Sequence, residues 1–451
     1  MRKAPAAAAD SSAGNLRAIP SVERILSSPA VAALIRQYGR EGVKSALGAY
    51  LNEVRASRVP YDESRALAAM DQRAAISSET TLRRVINGTG IIIHTNLGRS
   101  PIDPAIWTEA AATVAAYSNL EFDLESGERG NRDDHLADVC RTLFGCEAAV
   151  LANNNAAGTL LLLAAVAAKK EVLVSRGELV EIGGAFRVPD VIQQGGAKLR
   201  EVGTTNRTRA HDYADAASRR SGAILRVHRS NFDIVGFTET PSVAELVEVA
   251  RANKLPMLYD EGSGRVVELS RYGFSRGETI RELFALGVDA ITCSTDKLIG
   301  ATQGGLILGR EEIVARCRKH PLMRALRAGK ESYAVIGATL RAFATERHEQ
   351  LIPIYRMLAT PIEQLRQRAE ELTRGTRSMI IETRCALGGG TTPSETIASV
   401  AVTVPGNANE IKDRFLRLPI PIAGRIVEDT FTIDVRTLMD ADIRPVREAL
   451  N

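Results

Sequence analysis

The sequence has no apolar run that reaches the roughly 18 residues that a membrane-spanning helix needs, so no such helix is expected. It also has no Cys-x-x-Cys pair. Its five cysteines, Cys140, Cys146, Cys293, Cys317 and Cys385, are odd in number and widely spaced. That pattern indicates neither a zinc site nor a disulfide framework, so the thiols are expected as small buried side chains in a reducing compartment. A secretory signal is not expected either. The alanine run in MRKAPAAAADSSAGNLR is short and weakly apolar, and Asp10 follows it. A disordered leader and a cytoplasmic protein are expected, with no membrane and no metal partner.

What is present fits a globular chain. Hydrophobic residues make up 45% and charged residues 25% of 451 residues, enough for two or three domains and a large core. The net charge of +4 is unevenly placed. Residues 1–75 carry 11 Lys/Arg against 7 Asp/Glu, so the whole excess lies there and the remainder is balanced. A basic segment points weakly to a polyanionic partner, and ordinary scatter explains it equally well.

Residues 20–84 show helical periods, opened by Pro20-Ser21, restarted at Ser28-Pro29 and interrupted at Val59-Pro60. Beyond about residue 85, short apolar runs alternate with helical stretches. Strands are predicted at 148–152, 172–175, 198–202, 223–227, 256–259, 289–293 and 305–308, with helices such as 156–168 and 242–253 between them. This alternation predicts an α/β protein with a mostly parallel central sheet covered on both faces. A long helical stretch is expected over 333–369. A smaller α+β segment follows, with strands at 397–404, 420–426 and 430–435 and a helix near 409–417. Gly388-Gly389-Gly390 reads as a flexible loop. The expected divisions are 1–84, 85–330 and 331–451.

In open parallel sheets, ligands bind at the carboxyl ends of strands. After the first strand stand Asn153-Asn154-Asn155-Ala156-Ala157-Gly158, then a helix. Small and amide residues at a helix start suit a phosphate, and an ordinary N-cap fits them as well. Asp260 follows the fifth strand. Ser294, Asp296 and Lys297 follow the sixth. A carboxylate and a lysine at successive strand ends, about 37 positions apart, match the spacing in pyridoxal-phosphate (PLP) enzymes of the aspartate aminotransferase fold. A lysine amine carries such a cofactor and moves protons at the substrate α-carbon. A carboxylate keeps the pyridine nitrogen protonated, so the ring takes up electrons. Ser294 is placed to donate to the cofactor phosphate. His228, after the fourth strand, suits ring stacking, proton guidance or a structural hydrogen bond. Ser294-x-x-Lys297 also fits the penicillin-binding pattern, but no Ser-Asp-Asn or Lys-Thr-Gly partner exists. Arg324 and Arg327, predicted on one helix face, suit a phosphate-like anion or a solvated basic surface.

These residues sit within longer stretches that resemble one family. The stretches are INGTGIIIHTNLGR (86–99), LEFDLESGERGNRD (120–133), NNNAA (153–157), VSRGELVEIGGAFRVPDVI (174–192), EVGTTNRT (201–208), VHRSNFDIVGFT (227–238), DKLIG (296–300), HPLMRALRAGK (320–330) and IPIAGRI (420–426). Together they make the chain similar to bacterial selenocysteine synthases, the L-seryl-tRNA(Sec) selenium transferases. The resemblance implies a PLP-dependent transferase fold with an N-terminal helical module and a small C-terminal domain. It implies Lys297 as the PLP lysine and Asp260 as the ring-nitrogen partner, with Asn154, Asn155 and Ala156 at the cofactor phosphate. Arg99, Arg324 and Arg327 correspond to the basic cluster for the selenium donor, selenophosphate. Asp296 is implied as a helper in proton transfer, and a solvated loop carboxylate fits it as well.

The implied reaction converts seryl-tRNA(Sec) to selenocysteinyl-tRNA(Sec) through a dehydroalanyl intermediate. The basic module would bind the tRNA, and the chain would form a homo-oligomeric ring of dimers. Three places depart from the family pattern: Thr295 stands where Gly is common, Glu261 where an apolar residue is usual, and Gly300-Ala301-Thr302-Gln303-Gly304-Gly305 where Gly-Gly-Pro-Gln-Ala-Gly is expected. Two other readings remain open at this point: a related PLP lyase of small amino acids or amino-sugar acids, and a non-catalytic tRNA-binding protein.

Overall fold

The computed structural model describes residues 19–451 except 58, 79, 184 and 185. The expected leader therefore lies outside the described residues. Two compact units are present, Met1–Arg84 and Val85–Asn451.

The first unit is a group of helices, Val22–Leu26, Pro29–Tyr38, Arg40–Ser57 and Glu63–Ser78. Its starts follow local chemistry. Ser21 caps the first helix by accepting from the Arg24 N–H, and Pro29 opens the second, where a missing N–H costs nothing. Leu26, Val31, Val43, Leu47, Leu51 and Met70 form its core. No helix among the described residues is long and apolar enough to cross a membrane.

The second unit is built on a seven-stranded sheet: β1 (Ala148–Ala152), β2 (Glu171–Ser175), β3 (Lys198–Val202), β4 (Ser221–Val227), β5 (Met257–Gly262), β6 (Ala290–Ser294) and β7 (Gly305–Gly309). The spatial order is β1-β7-β6-β5-β4-β2-β3. β7 runs antiparallel to both neighbours, and the other pairings are parallel. Residues alternate between two cores, as a period of two requires. Leu151, Ile224, Tyr259 and Ile291 face one, while Val150, Leu225, Leu258 and Ala290 face the other. Both faces are apolar because helices cover both.

A smaller sheet follows, formed by β8 (Met379–Gly388), β9 (Thr392–Val404), β10 (Arg425–Val427) and β11 (Thr430–Asp434). Its order is β8-β9-β11-β10. The short strand Ile86–Asn87 pairs in parallel with Ile422–Ala423, so the unit's first residues join its last part.

The stretch 333–369 is mostly helical, as expected, and is divided into four helices, Lys330–Ala344, His348–Leu351, Pro353–Ala359 and Ile362–Thr373. Pro353 and Pro361 each deny a backbone donor and start a new helix instead. The glycine run 388–390 is not a loose loop. It ends β8 and forms the tight turn into β9, and β8 itself was not expected. Arg324 and Arg327 do not share a helix face, because the helix Leu322–Leu326 ends first and Arg327 is extended at its C-cap.

Candidate active site

The loops after β1, β4, β5 and β6 meet at one cavity of about 310 Å³. Its lining includes Arg99, Asn154, Asn155, Ala156, His228, Asp260, Ser294 and Lys297. Eight predicted site residues are thus brought together. Asp296 lies beside them through Arg99. Arg324 and Arg327 do not line the cavity. Arg324 is exposed, and Arg327 donates to Glu121 at 3.2 Å.

Lys297 is buried, with 7% of its surface exposed, and its Nζ is 3.4 Å from the Gly390 carbonyl oxygen. Burial pushes the amine's affinity for a proton down, and the Arg99 charge adds to that effect. Asp260, Asp296 and Glu261 pull the other way. The net direction favours a neutral, nucleophilic amine.

Asp260 lies on β5, next to Thr292 on β6 in the ladder register. Its carboxylate accepts from Asn155 Nδ2 at 2.8 Å, Thr159 Oγ1 at 3.2 Å and Thr292 Oγ1 at 3.3 Å. Burial is the largest influence and holds this carboxyl above the usual carboxylate range, while the Asn155 amide, the Lys297 charge and the two hydroxyls pull it back down.

The Asn run divides its labour. Asn154 caps the helix Asn155–Ala167, its side chain accepting from the Ala157 N–H at 2.9 Å. Asn155 reaches Asp260 instead. The first N–H groups of that helix lack intrahelical acceptors, and its opening residues Asn155 and Ala156 line the cavity. His228 Nε2 is 2.8 Å from the Thr391 carbonyl oxygen, and the His228 backbone N–H donates to the Asp260 backbone carbonyl at 3.0 Å. The turn 389–391 thus reaches both His228 and Lys297.

Arg99 has φ +64 and pairs with Asp296 at 2.7 Å. Asp296 Oδ1 is buried and has no partner among the described residues.

The departures from the family pattern are accommodated locally. Glu261 is turned into its own loop, accepting from the Ser263 hydroxyl and from the Gly264 N–H at 2.6 Å. Thr295 donates to the Thr302 carbonyl at 2.6 Å. A Cβ placed on Gly304 would stand 2.7 Å from Thr295 Oγ1, so threonine at 295 and glycine at 304 go together.

Sequence reasoning missed Ser230, Thr159 and Thr292. Thr159 stands four residues after Asn155, a helical spacing that could have flagged it. Ser230 and Thr292 reach the site only through tertiary register.

The residues fit pyridoxal phosphate on structural grounds. Asn155 Oδ1 and Ser230 Oγ are buried polar atoms on the cavity residues with no partner among the described residues. Amine, carboxylate and helix start supply the three kinds of contact that the cofactor's aldehyde, ring nitrogen and phosphate require. Among the described residues, no group of three or more His, Cys, Asp or Glu is placed to hold a metal ion.

Strand order, the lysine after β6 and the carboxylate on β5 define a protein of the PLP-dependent transferase fold. A solved structure of D-glucosaminate-6-phosphate ammonia-lyase shares this fold, with a TM-score of 0.61 over 82% of this chain and 95% of that one, at 22% identity. The chain belongs to the L-seryl-tRNA(Sec) selenium transferase family, which works with PLP: the L-seryl-tRNA selenium transferase model matches residues 85–439, and the selenocysteine synthase N-terminal model matches 16–55. L-seryl-tRNA(Sec) selenium transferase of Geobacter sulfurreducens is 44% identical, covering 96% of this chain and 98% of its own. That of Carboxydothermus hydrogenoformans is 38% identical over 95% of each.

Proposed function

We propose that this chain converts seryl-tRNA(Sec) to selenocysteinyl-tRNA(Sec), using PLP and selenophosphate, in the cytoplasm. The observation that carries the reading is the convergence of Lys297 and Asp260 on one cavity, in a chain whose relatives match it nearly end to end.

PLP, when bound, supplies an electron sink for the charge that develops at the serine α-carbon. Lys297 holds the cofactor and moves the α-proton through Nζ. Asp260 keeps a proton on the ring nitrogen. Asn155, Ala156 and the helix start hold the phosphate, with Asn154 shaping that turn and the Ser294 hydroxyl adding a donor. His228 stacks on the ring, its imidazole oriented by the Thr391 carbonyl. The serine β-hydroxyl takes up a proton and leaves as water. The selenium of selenophosphate then bonds to the β-carbon, the α-carbon regains a proton, and water cleaves the Se–P bond, releasing phosphate. Asp296 assists the proton transfers through its unpartnered oxygen.

Arg99 receives the selenium donor, together with Arg324 and Arg327. The last two lie outside this chain's own cavity, so their share requires a neighbouring copy to complete the site. Tyr117, Val235 and Phe237 are large apolar side chains left exposed, in keeping with a ring of dimers. Residues 1–84 bind the tRNA, and the local charge excess supports that role.

The test is reconstitution with PLP, serylated tRNA(Sec) and selenophosphate. Parent protein should form selenocysteinyl-tRNA, and Lys297→Ala should form none. Turnover of a free small amino acid or amino-sugar acid with no reaction on tRNA would establish the lyase reading instead.

A further inference from the structure

Asp260 is embedded in hydroxyls that the proposed chemistry does not itself use. Thr159, 3% exposed, comes from the helix that opens at Asn155. Thr292, 1% exposed, comes from β6. Thr159 Oγ1 is 3.2 Å from Asp260 Oδ2, Thr292 Oγ1 is 3.3 Å from Oδ1, and the two hydroxyls are 3.0 Å apart.

The proton count limits this triangle. Each hydroxyl has one hydrogen, so at most two of the three contacts are filled at once. Only when both hydrogens point at Asp260 does the carboxylate receive three donors, with Asn155 as the third. A charged carboxylate rewards that arrangement most, because hydrogen bonds to ions are the stronger ones. A neutral acid would have to donate from one oxygen and turn a threonine away. Oδ1 already takes Asn155 and Thr292, and Oδ2 takes Thr159 alone. Oδ2 therefore keeps an acceptor site for one more donor.

We propose that Thr159 and Thr292 are positioning residues for the cofactor's ring nitrogen: they fix the plane of the Asp260 carboxylate, keep it charged and leave Oδ2 for the ring N–H. The inference rests on the pairing of Asp260 with that nitrogen. The two threonines act only through Asp260.

The experiment compares alanine with serine at each position. Both changes remove the threonine methyl, and only alanine removes the hydroxyl. Holoenzymes of the parent, Thr159→Ala, Thr159→Ser, Thr292→Ala, Thr292→Ser and the double alanine variant are loaded with PLP labelled with ¹⁵N in the ring. The ring-nitrogen chemical shift is read at one fixed pH, and kcat and KM are measured alongside.

The parent and both serine variants should show a protonated ring nitrogen. The alanine variants should move toward the unprotonated shift, the double variant furthest. Their kcat should fall about tenfold or more, with KM for serylated tRNA little changed. If the double variant does not fold, the single alanine and serine pairs decide. A parent-like ¹⁵N shift in the alanine variants overturns the inference while leaving the Asp260 pairing intact. An unprotonated nitrogen in the parent overturns the pairing itself, and the inference with it.

Discussion

Gly390 lies directly against Lys297. A Cβ built on it would stand 2.6 Å from the lysine Nζ and 2.8 Å from Cε, and its φ is +89. Glycine is thus required twice, for the left-handed turn between β8 and β9 and for the space the lysine occupies. Gly390→Ala should displace the lysine and raise the dissociation constant for PLP more than tenfold, measured by absorbance titration. Backbone strain should lower the stability of the unloaded protein by about 1 kcal/mol or more. Cofactor affinity like the parent's would show that the lysine tolerates the side chain.

Thr295 and Gly304 should behave as a coupled pair. Gly304→Ala introduces a Cβ 2.7 Å from Thr295 Oγ1 and 2.9 Å from Ile336 Cδ1, an overpacking expected to cost about 1–3 kcal/mol. Thr295→Ala loses the hydrogen bond to the Thr302 carbonyl, at a cost of about 1 kcal/mol. The double variant should be more stable than the sum of the two losses, with a coupling of about 1 kcal/mol in denaturant unfolding. Strict additivity would mean that the two positions do not touch.

Arg99 should set the pH at which the protein takes up its cofactor. The unloaded lysine must be neutral to attack an aldehyde. Burial and the Arg99 charge both push its pKa down from the ordinary lysine value. Arg99→Gln removes that cation and frees Asp296, two changes that both favour the protonated amine. The folded pKa therefore rises, and the midpoint of PLP uptake against pH should move upward. Stopped-flow loading rates across the alkaline range give the answer. A midpoint that stays put or moves down would contradict the electrostatic role.

Removal of residues 1–84 should weaken tRNA binding without changing PLP absorbance, since these residues form their own compact unit. In the full chain, affinity for tRNA should fall steeply with salt, as counterion release requires. Unaltered tRNA affinity in the truncated chain would place recognition in residues 85–451.

Much of this site was legible because its parts follow strands, and apolar runs marked every strand of the central sheet except the charged edge strand β3 (KLREV) to within a few residues. Asp260, Lys297 and the Asn run could be found by asking what stands at each strand end. The turn at Gly390 could not. Its strand, β8, is mixed and partly exposed, with Glu382 and Arg384 at exposed positions, so no clean alternation announced it. Its distance in sequence from Lys297 hid the contact. Arg324 and Arg327 misled for a local reason: spacing by three implies a shared face only if the helix continues, and this one stops at Leu326. The periodicity over 333–369 was real, but Pro353 and Pro361 divided it. Thr292 becomes visible only once the register sets it beside Asp260.

The most direct test of the account is to reduce the PLP-loaded protein with borohydride, digest it, and locate the cofactor by mass. The account predicts that the visible absorbance is lost and that the phosphopyridoxyl group is found on Lys297. Attachment to another lysine, or retention of activity and label in Lys297→Ala, would contradict it.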